Sequence, residues 1–181
     1  MRLFIVLLFL TNSYAGDIKQ EMLGLYQNKK YAKVCTMGFD NFKEYRRDEE
    51  FVSLYAISCL NSDYIDRLSV PIASLKFSKE ARANAAYFSV ILMQKKLLYH
   101  SLVDGYELSK LKLPTTDYIL SKVFDLYTKL GKHKKRTFYL FEDPDDKGLS
   151  YKLYLTKDYK ISKMVIEEFR GTVLLKRHIY W

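Results

Sequence analysis

Motifs for catalysis and metal binding are missing from this sequence. The three histidines, His100, His133 and His178, form no His-Glu-x-x-His pair and no cluster with cysteine at zinc-ligand spacing. There is also no Gly-x-Ser-x-Gly elbow, no phosphate-binding loop and no dinucleotide-binding fingerprint. We therefore expect no cofactor and no bound metal, and we expect the protein not to be an enzyme.

Long apolar runs are scarce as well, and the longest lies at the N-terminus. Arg2 precedes the unbroken run Leu3–Leu10, and Ser13-Tyr14-Ala15 places small residues where a signal peptidase accepts them. The run is shorter than the roughly 20 residues of a membrane-spanning helix. We predict a cleavable signal peptide over residues 1–15, export to the periplasm, and no transmembrane span in the mature chain. A buried N-terminal helix is the alternative.

Acidic residues are fewer than basic ones. The chain has 21 Asp and Glu against 30 Lys and Arg, for a net charge of +9. Such an excess favours an anionic partner, namely lipid head groups, a glycan or an acidic protein surface, although a plain solvated basic surface has the same composition. We expect no nucleic-acid partner, because the predicted leader exports the chain and no nucleic-acid-binding module is recognisable. The hydrophobic content of 49% predicts one packed domain, or one domain with a small appendage.

Three segments share the order of helix end, tight turn and helix start. They are Met22–Cys35, Ala56–Leu68 and, more loosely, Leu92–Leu102. Tyrosines recur in these segments at intervals of 33 and 35 residues, at Tyr31, Tyr64 and Tyr99. The pattern resembles the tetratricopeptide family, whose unit is a helical hairpin of about 34 residues.

The resemblance implies a mainly α fold in which residues 16–135 form a tetratricopeptide-like solenoid of helical hairpins. The three tyrosines would be packing residues that open the second helix of each hairpin. Gly24 and Ala32 fit the family's small-residue positions, whereas the family's tryptophan is absent from the repeats. Short, lysine-rich periplasmic proteins of this kind are scaffold parts of envelope machines, including the accessory disks of polar flagellar motors. The resemblance therefore implies a non-enzymatic scaffold or adaptor that binds other proteins of a multi-subunit assembly.

Local periodicity predicts helices independently of the repeats. Apolar residues recur every three or four positions in three stripes, which are Phe51/Tyr55/Cys59, Ala81/Ala85/Phe88/Leu92 and Ile119/Val123/Leu126/Leu130. Each stripe is typical of a buried helix face. Asp48 and Ser78 are good N-cap residues, Pro71 is expected to kink the fourth helix, and Pro114 is expected to end the sixth.

The last segment, residues 136–181, has the character of short strands. β-prone runs are separated by turn residues, and they are Thr137–Phe141, Tyr151–Leu155, Ile161–Phe169 and Thr172–Trp181. We predict a small antiparallel β meander that caps the helical array, since a terminal repeat otherwise exposes an apolar face. A final helix over Ser162–Phe169 is the alternative.

The two cysteines, Cys35 and Cys59, lie at matching distances on either side of the predicted connection between two antiparallel helices. In an exported protein this arrangement favours a disulfide, and two buried free thiols are the alternative. A catalytic redox pair is not expected, because the Cys-x-x-Cys spacing is absent.

Two groups of residues are candidate partner contacts. The densest basic run supplies Lys132, Lys134, Lys135 and Arg136, and the end of the chain supplies Tyr180 and Trp181. The basic run would dock on an acidic partner or on head groups, or would only complement the helix dipole. The two terminal aromatics would either seal the meander or contact a partner.

Three candidate functions predict different surface features of the folded protein. A scaffold predicts an exposed apolar or aromatic patch on the helical array. A basic module for anionic lipid or glycan predicts one face on which cations cluster, namely Lys132, Lys134, Lys135, Lys152, Lys176 and Arg177. A periplasmic enzyme or inhibitor predicts a cleft between helices and strands in which polar groups converge.

Overall fold

The structure, a computed structural model, describes residues 13–109, 111–131 and 136–181. The predicted leader run Leu3–Leu10 and the basic residues Lys132, Lys134 and Lys135 lie outside the described residues. Six α-helices occupy the described part before residue 131: α1 Ser13–Gln27, α2 Tyr31–Tyr45, α3 Glu49–Asn61, α4 Ser69–Ser74, α5 Lys79–Asp104 and α6 Ile119–Thr128. A short 3₁₀ helix, Ile65–Leu68, precedes α4.

The hairpin of α2 and α3 is the most tightly connected part of the helical region. Asp48 caps α3, and its carboxylate accepts hydrogen bonds from the main-chain N–H groups of Glu50 and Phe51 at 3.1 Å each. Cys35 and Cys59 form a disulfide between the two helices, and both side chains are fully buried. The predicted cap and the predicted disulfide are confirmed.

A carboxylate clamp ties the start of α3 to the start of α5. Glu49 accepts hydrogen bonds from three consecutive main-chain N–H groups, those of Lys76, Phe77 and Ser78, at 2.7–2.9 Å. These donors lower the pKa of Glu49 to about 2. Ser78 in turn caps α5, since its hydroxyl accepts from the N–H of Ala81 at 3.0 Å.

The third predicted hairpin is wrong. Leu92–Leu102 lies inside α5, so Tyr99 is in the middle of a helix and opens none. The physical reason is local: the stretch around Lys95 consists of strong helix formers without glycine or proline. The helix ends only at Gly105, whose φ of 75° is the left-handed conformation common at helix C-termini.

The other repeat predictions have mixed outcomes. Tyr31 opens α2 as predicted, whereas Tyr64 precedes the 3₁₀ helix rather than an α-helix. Pro71 is the third residue of α4, where the missing N–H breaks no hydrogen bond of the helix. Pro114 lies in the loop between α5 and α6 and ends no helix.

The predicted stripes supply much of the core. Phe51, Tyr55 and Cys59 are at most 1% exposed, and Phe88 and Val123 are at most 2% exposed. Leu130, at the end of the third stripe, is an exception because it follows the last turn of α6 and is 45% exposed. No helix among the described residues is long and apolar enough to cross a membrane.

The C-terminal segment is a four-stranded antiparallel meander, as predicted. Its strands are β1 Phe138–Glu142, β2 Leu149–Asp158, β3 Ile161–Arg170 and β4 Val173–Tyr180, in the order β1-β2-β3-β4. The alternative helix over Ser162–Phe169 is wrong, because these residues belong to β3.

The two faces of the sheet differ in their surroundings. Side chains alternate between the faces along each strand. The inner face joins the core that the helices also build, through Tyr139, Phe141, Tyr151, Leu153, Met164, Ile166 and Tyr180. The alternate residues, which include Phe138, Leu140 and Ile179, are outside that core and exposed. The sheet therefore caps the helices with one face and presents the other.

Candidate functional site

A buried histidine joins the helical part to the sheet. His178, on the inner face of β4, is 2% exposed. Its Nδ1 lies 2.7 Å from Oδ1 of Asp63, in the turn that follows α3, and its Nε2 lies 2.8 Å from Oε1 of Glu168 on β3. The imidazole thus bridges two carboxylates that belong to different parts of the fold.

The two carboxylates fix the charge of this imidazole. Each ring nitrogen can hydrogen-bond an ionised carboxylate only by donating a proton, so this bridge requires the imidazolium form of His178. Burial opposes that charge, but the hydrogen bonds to Asp63 and Glu168 and the field of Asp63 outweigh it and raise the pKa of His178. A ring with both nitrogens protonated has no lone pair to accept a proton, so this histidine cannot serve as a general base while the bridge is intact.

Two tyrosines extend the same network. The Tyr118 hydroxyl donates to Oδ1 of Asp63 at 2.9 Å and lies 3.1 Å from the main-chain oxygen of Leu60. The Tyr180 hydroxyl is 3.4 Å from that of Tyr118, and burial raises the pKa of both phenols. Tyr180 is 1% exposed, which fits the sealing of the meander, one of its two predicted roles.

The charge of His178 predicts a pH-dependent stability. Because its pKa is raised above the ordinary value of 6.5, its contribution is complete below about pH 6.5 and is lost as the pH rises through the raised pKa. We expect the unfolding free energy of the native chain, relative to that of His178→Gln, to decrease as the pH rises above about 6.5 and through the raised pKa of His178. Denaturant titrations of both chains at several pH values measure this difference. A difference that stays constant or grows with pH contradicts the bridge.

A second buried cation holds the end of the chain. Lys95, on α5, is 2% exposed, and its Nζ donates to both carboxylate oxygens of Asp66 at 3.0 and 3.1 Å. It also donates to the main-chain oxygen of Trp181. Burial lowers the pKa of Lys95, while Asp66 counteracts that effect. The lysine therefore links α5, the 3₁₀ helix and the residue after β4.

A concavity of about 390 Å³ does lie between the helices and the sheet, where a catalytic cleft was one alternative. Several of its polar groups are engaged in hydrogen bonds: the Tyr87 hydroxyl donates to Asp117 at 2.7 Å, and Lys122 donates to Asp143, outside the concavity, at 3.2 Å. Burial and Asp117 raise the pKa of Tyr87 to about 12, so this phenol stays protonated. Across the described ranges, no three His, Cys, Asp or Glu side chains are grouped as metal ligands.

The side of the sheet that faces away from the helices, here called the outer face, extends across all four strands. Its members are Phe138, Leu140, Lys152, Tyr154, Lys163, Val165, Glu167, Arg177, Ile179 and Trp181. One cross-strand row runs Phe138–Tyr154–Val165–Ile179, and the next runs Leu140–Lys152–Glu167–Arg177. Four apolar members are well exposed: Leu140 at 63%, Trp181 at 53%, Phe138 at 48% and Ile179 at 37%.

The charges of the outer face are arranged around its aromatic rings. Lys152 Nζ lies 5.1 Å from the ring centre of Phe138 and 5.3 Å from that of Tyr154. Lys163 lies 5.4 Å from the ring centre of Trp181. Such cation–π contacts keep the ammonium groups close to the apolar surface.

One acid is embedded among these cations. Glu167 is 4% exposed, and its Oε1 accepts from Arg177 Nε at 2.7 Å and from the Tyr154 hydroxyl at 3.1 Å. Lys163 is paired with Asp158 at the edge of the face. Lys152 has no carboxylate partner among the described residues, so the face combines apolar area with an ammonium group that forms no ion pair.

The predicted basic cluster is only partly brought together. Lys152 and Arg177 share the outer face, whereas Lys176 is the next residue on β4 and projects to the opposite side. Arg136, which is exposed, stacks on the ring of Tyr139 at 5.7 Å.

The contacts of Lys95 and Asp63 could not be found from the sequence, because their partners lie 86 and 115 residues further along the chain.

No protein-family model, no curated protein and no solved structure matches this chain. The function is therefore argued from the geometry and chemistry of these surfaces.

Proposed function

We propose that this chain is an exported, non-enzymatic scaffold protein that binds another protein of a cell-envelope assembly through the outer face. The observation that carries the proposal is the exposed apolar area of that face, where Phe138, Leu140, Ile179 and Trp181 are spread over one sheet surface. Extended apolar patches with polar rims are typical of protein-binding surfaces. Burying the four side chains against a partner would supply the driving force for association.

Export is supported by the covalent structure. The Cys35–Cys59 disulfide is compatible with an oxidising compartment, where such bonds persist. The leader-like residues 1–15 and the tetratricopeptide-like hairpin of α1 and α2 are consistent with a periplasmic scaffold. An accessory structure of a flagellar motor is the assembly that the sequence resemblance suggests.

A non-enzymatic role is supported by the way the buried ionisable groups are used. Both ring nitrogens of His178 are hydrogen-bonded to carboxylates, and the ammonium group of Lys95 is hydrogen-bonded to Asp66 and to a main-chain oxygen. Groups that are committed to structural hydrogen bonds are poor candidates for nucleophile or base.

One observation favours a second candidate function, the binding of anionic lipid or glycan. Lys152, Lys163 and Arg177 lie on the same face as exposed aromatic rings. A surface of this kind would lose affinity steeply with salt, because exposed charges are screened over roughly 8 Å at physiological ionic strength. Binding that is driven by the apolar rows would depend little on salt, which separates the two candidates.

Co-purification from native cells tests the proposal. We expect a chain with a C-terminal affinity tag to recover a defined partner in fixed stoichiometry. The substitution Leu140→Asp should remove that partner, since it places a charge in the middle of the apolar surface. Met93→Asp is the matched control, because Met93 is 54% exposed on α5 and outside the outer face. Recovery of the same partner by both variants, or of no partner by the native chain, contradicts the proposal.

A further inference from the structure

A pocket of about 400 Å³ lies where the 3₁₀ helix, α5 and the end of β4 meet. Its volume is within the range of small-molecule sites in proteins. Its walls are largely aromatic and aliphatic, formed by Tyr64, Ile65, Tyr180 and Trp181. Charged groups complete the lining, and among them Arg67 differs from the others because it is not neutralised.

The guanidinium of Arg67 makes cation–π contacts with two aromatic rings. Its Cζ lies 5.1 Å from the ring centre of Phe39 and 5.1 Å from that of Tyr64. Its Nη1 is 3.6 Å from the disulfide sulfur of Cys35, a weak acceptor. No ion pair among the described residues includes Arg67. A half-buried cation thus contacts two aromatic rings and forms no ion pair with a carboxylate.

The other charges around the pocket compensate one another. Asp66 accepts from Lys95 and also from Lys96, at 2.9 Å. Asp63 lies against the imidazolium of His178, which it shares with Glu168. Arg67 is thus the lining cation that no ion pair among the described residues includes.

We propose that this pocket binds a carboxylate attached to an aromatic or apolar body, with Arg67 as the group that recognises the anion. A guanidinium is planar and matches a carboxylate with two parallel hydrogen bonds, and the contacts with two rings restrict the side chain of Arg67 in advance. The aromatic and aliphatic lining residues contact the body of the ligand beside the ion pair. This site is separate from the proposed function of the outer face, although Trp181 borders both.

Two kinds of ligand present a carboxylate attached to an aromatic or apolar body: a free aromatic acid, and the C-terminal residue of a peptide. The probes are N-acetylphenylalanine, its neutral amide, and a short peptide that ends in phenylalanine, each titrated calorimetrically into the full native chain. We expect the acid to bind at least about tenfold more tightly than the amide, since the difference between them is the ion pair with Arg67. Equal or stronger binding of the peptide identifies a peptide terminus as the ligand, and weaker binding identifies a free acid.

Substitutions test whether the acid binds in this pocket. Arg67→Gln should weaken binding of the acid by at least about tenfold. Lys96 lies beside the pocket and is 60% exposed, so Lys96→Gln should weaken binding of the acid by a smaller factor. Lys112→Gln is the control, because it removes an exposed cation elsewhere. Far-UV circular dichroism and the thiol content show whether Arg67→Gln keeps the fold and the disulfide, and Lys96→Gln provides the test if it does not. The proposal is overturned if acid and amide bind equally, if neither binds at millimolar concentration, or if the folded variants bind as the native chain does.

Discussion

Replacing Gly38 by alanine is expected to destabilise the protein by about 1–3 kcal/mol or more. A Cβ atom at this position of α2 would lie 2.5 Å from the Cβ, Cγ and Cδ2 atoms of Tyr55 on α3. Tyr55 cannot move aside easily, because its side chain is fully buried and its hydroxyl donates to the main-chain oxygen of Arg67 at 3.4 Å. The helices would have to separate across the disulfide-linked hairpin. Equilibrium unfolding in urea measures the loss.

Gly24→Ala is the matched control for this prediction. Gly24 is also helical, in α1, but a Cβ there meets no heavy atom within 4 Å. Alanine is favoured over glycine in a helix by up to about 1 kcal/mol, so this variant should be as stable as the native chain or more stable. A similar loss of stability for Gly24→Ala and Gly38→Ala would show that the close approach of α2 and α3 is not the cause.

Reduction of the Cys35–Cys59 disulfide is expected to lower the unfolding free energy by about 3–4 kcal/mol. The bond closes a loop with a sequence separation of 24, and cutting it lets the unfolded chain gain conformational entropy. Denaturation curves with and without a reductant measure the change. Both cysteines are fully buried, so the reductant should be added to the unfolded chain before refolding.

The double variant Cys35→Ala/Cys59→Ala serves as the control for the disulfide. It should unfold at a lower denaturant concentration than the native chain, and a reductant should not change its curve. If the native chain shows two free thiols and the same curve with and without reductant, the disulfide is absent or contributes nothing to stability.

Features with a local cause could be predicted from the sequence. Asp48 caps α3 because a short acidic side chain reaches the N–H groups two and three residues ahead of it. The four strands follow from β-prone runs separated by turn residues, and the buried stripe of Phe51, Tyr55 and Cys59 follows from helical periodicity. Each of these patterns spans only a few residues.

The other features were mispredicted or missed, and the causes differ. The spacing of Tyr99 from Tyr64 suggested a third hairpin, yet no helix-breaking residue interrupts α5, so helix propensity prevails over the apparent repeat. The bridge from His178 to Asp63 spans 115 residues and depends on how the sheet packs on the helices. No local pattern in the sequence predicts such a long-range contact.

The candidate binding surface lies on a different part of the fold from the one expected. The scaffold hypothesis predicted an exposed patch on the helical array, whereas the outer face belongs to the C-terminal sheet. The alternation of Phe138 and Leu140 with Tyr139 and Phe141 is the signal that could have revealed it, since both sets are apolar and a capping sheet buries one face only. A strand that is apolar on both sides predicts a second packing partner.

Site-specific photocrosslinking in living native cells tests the role of the outer face most directly. A photoreactive amino acid placed at Leu140 probes the outer face, and the same amino acid at Met93 probes the exposed surface of α5. We predict one discrete protein adduct of constant mass from position 140 and none from position 93. The absence of an adduct at position 140, or the same set of adducts at both positions, would contradict the claim that the outer face is a specific protein-binding surface.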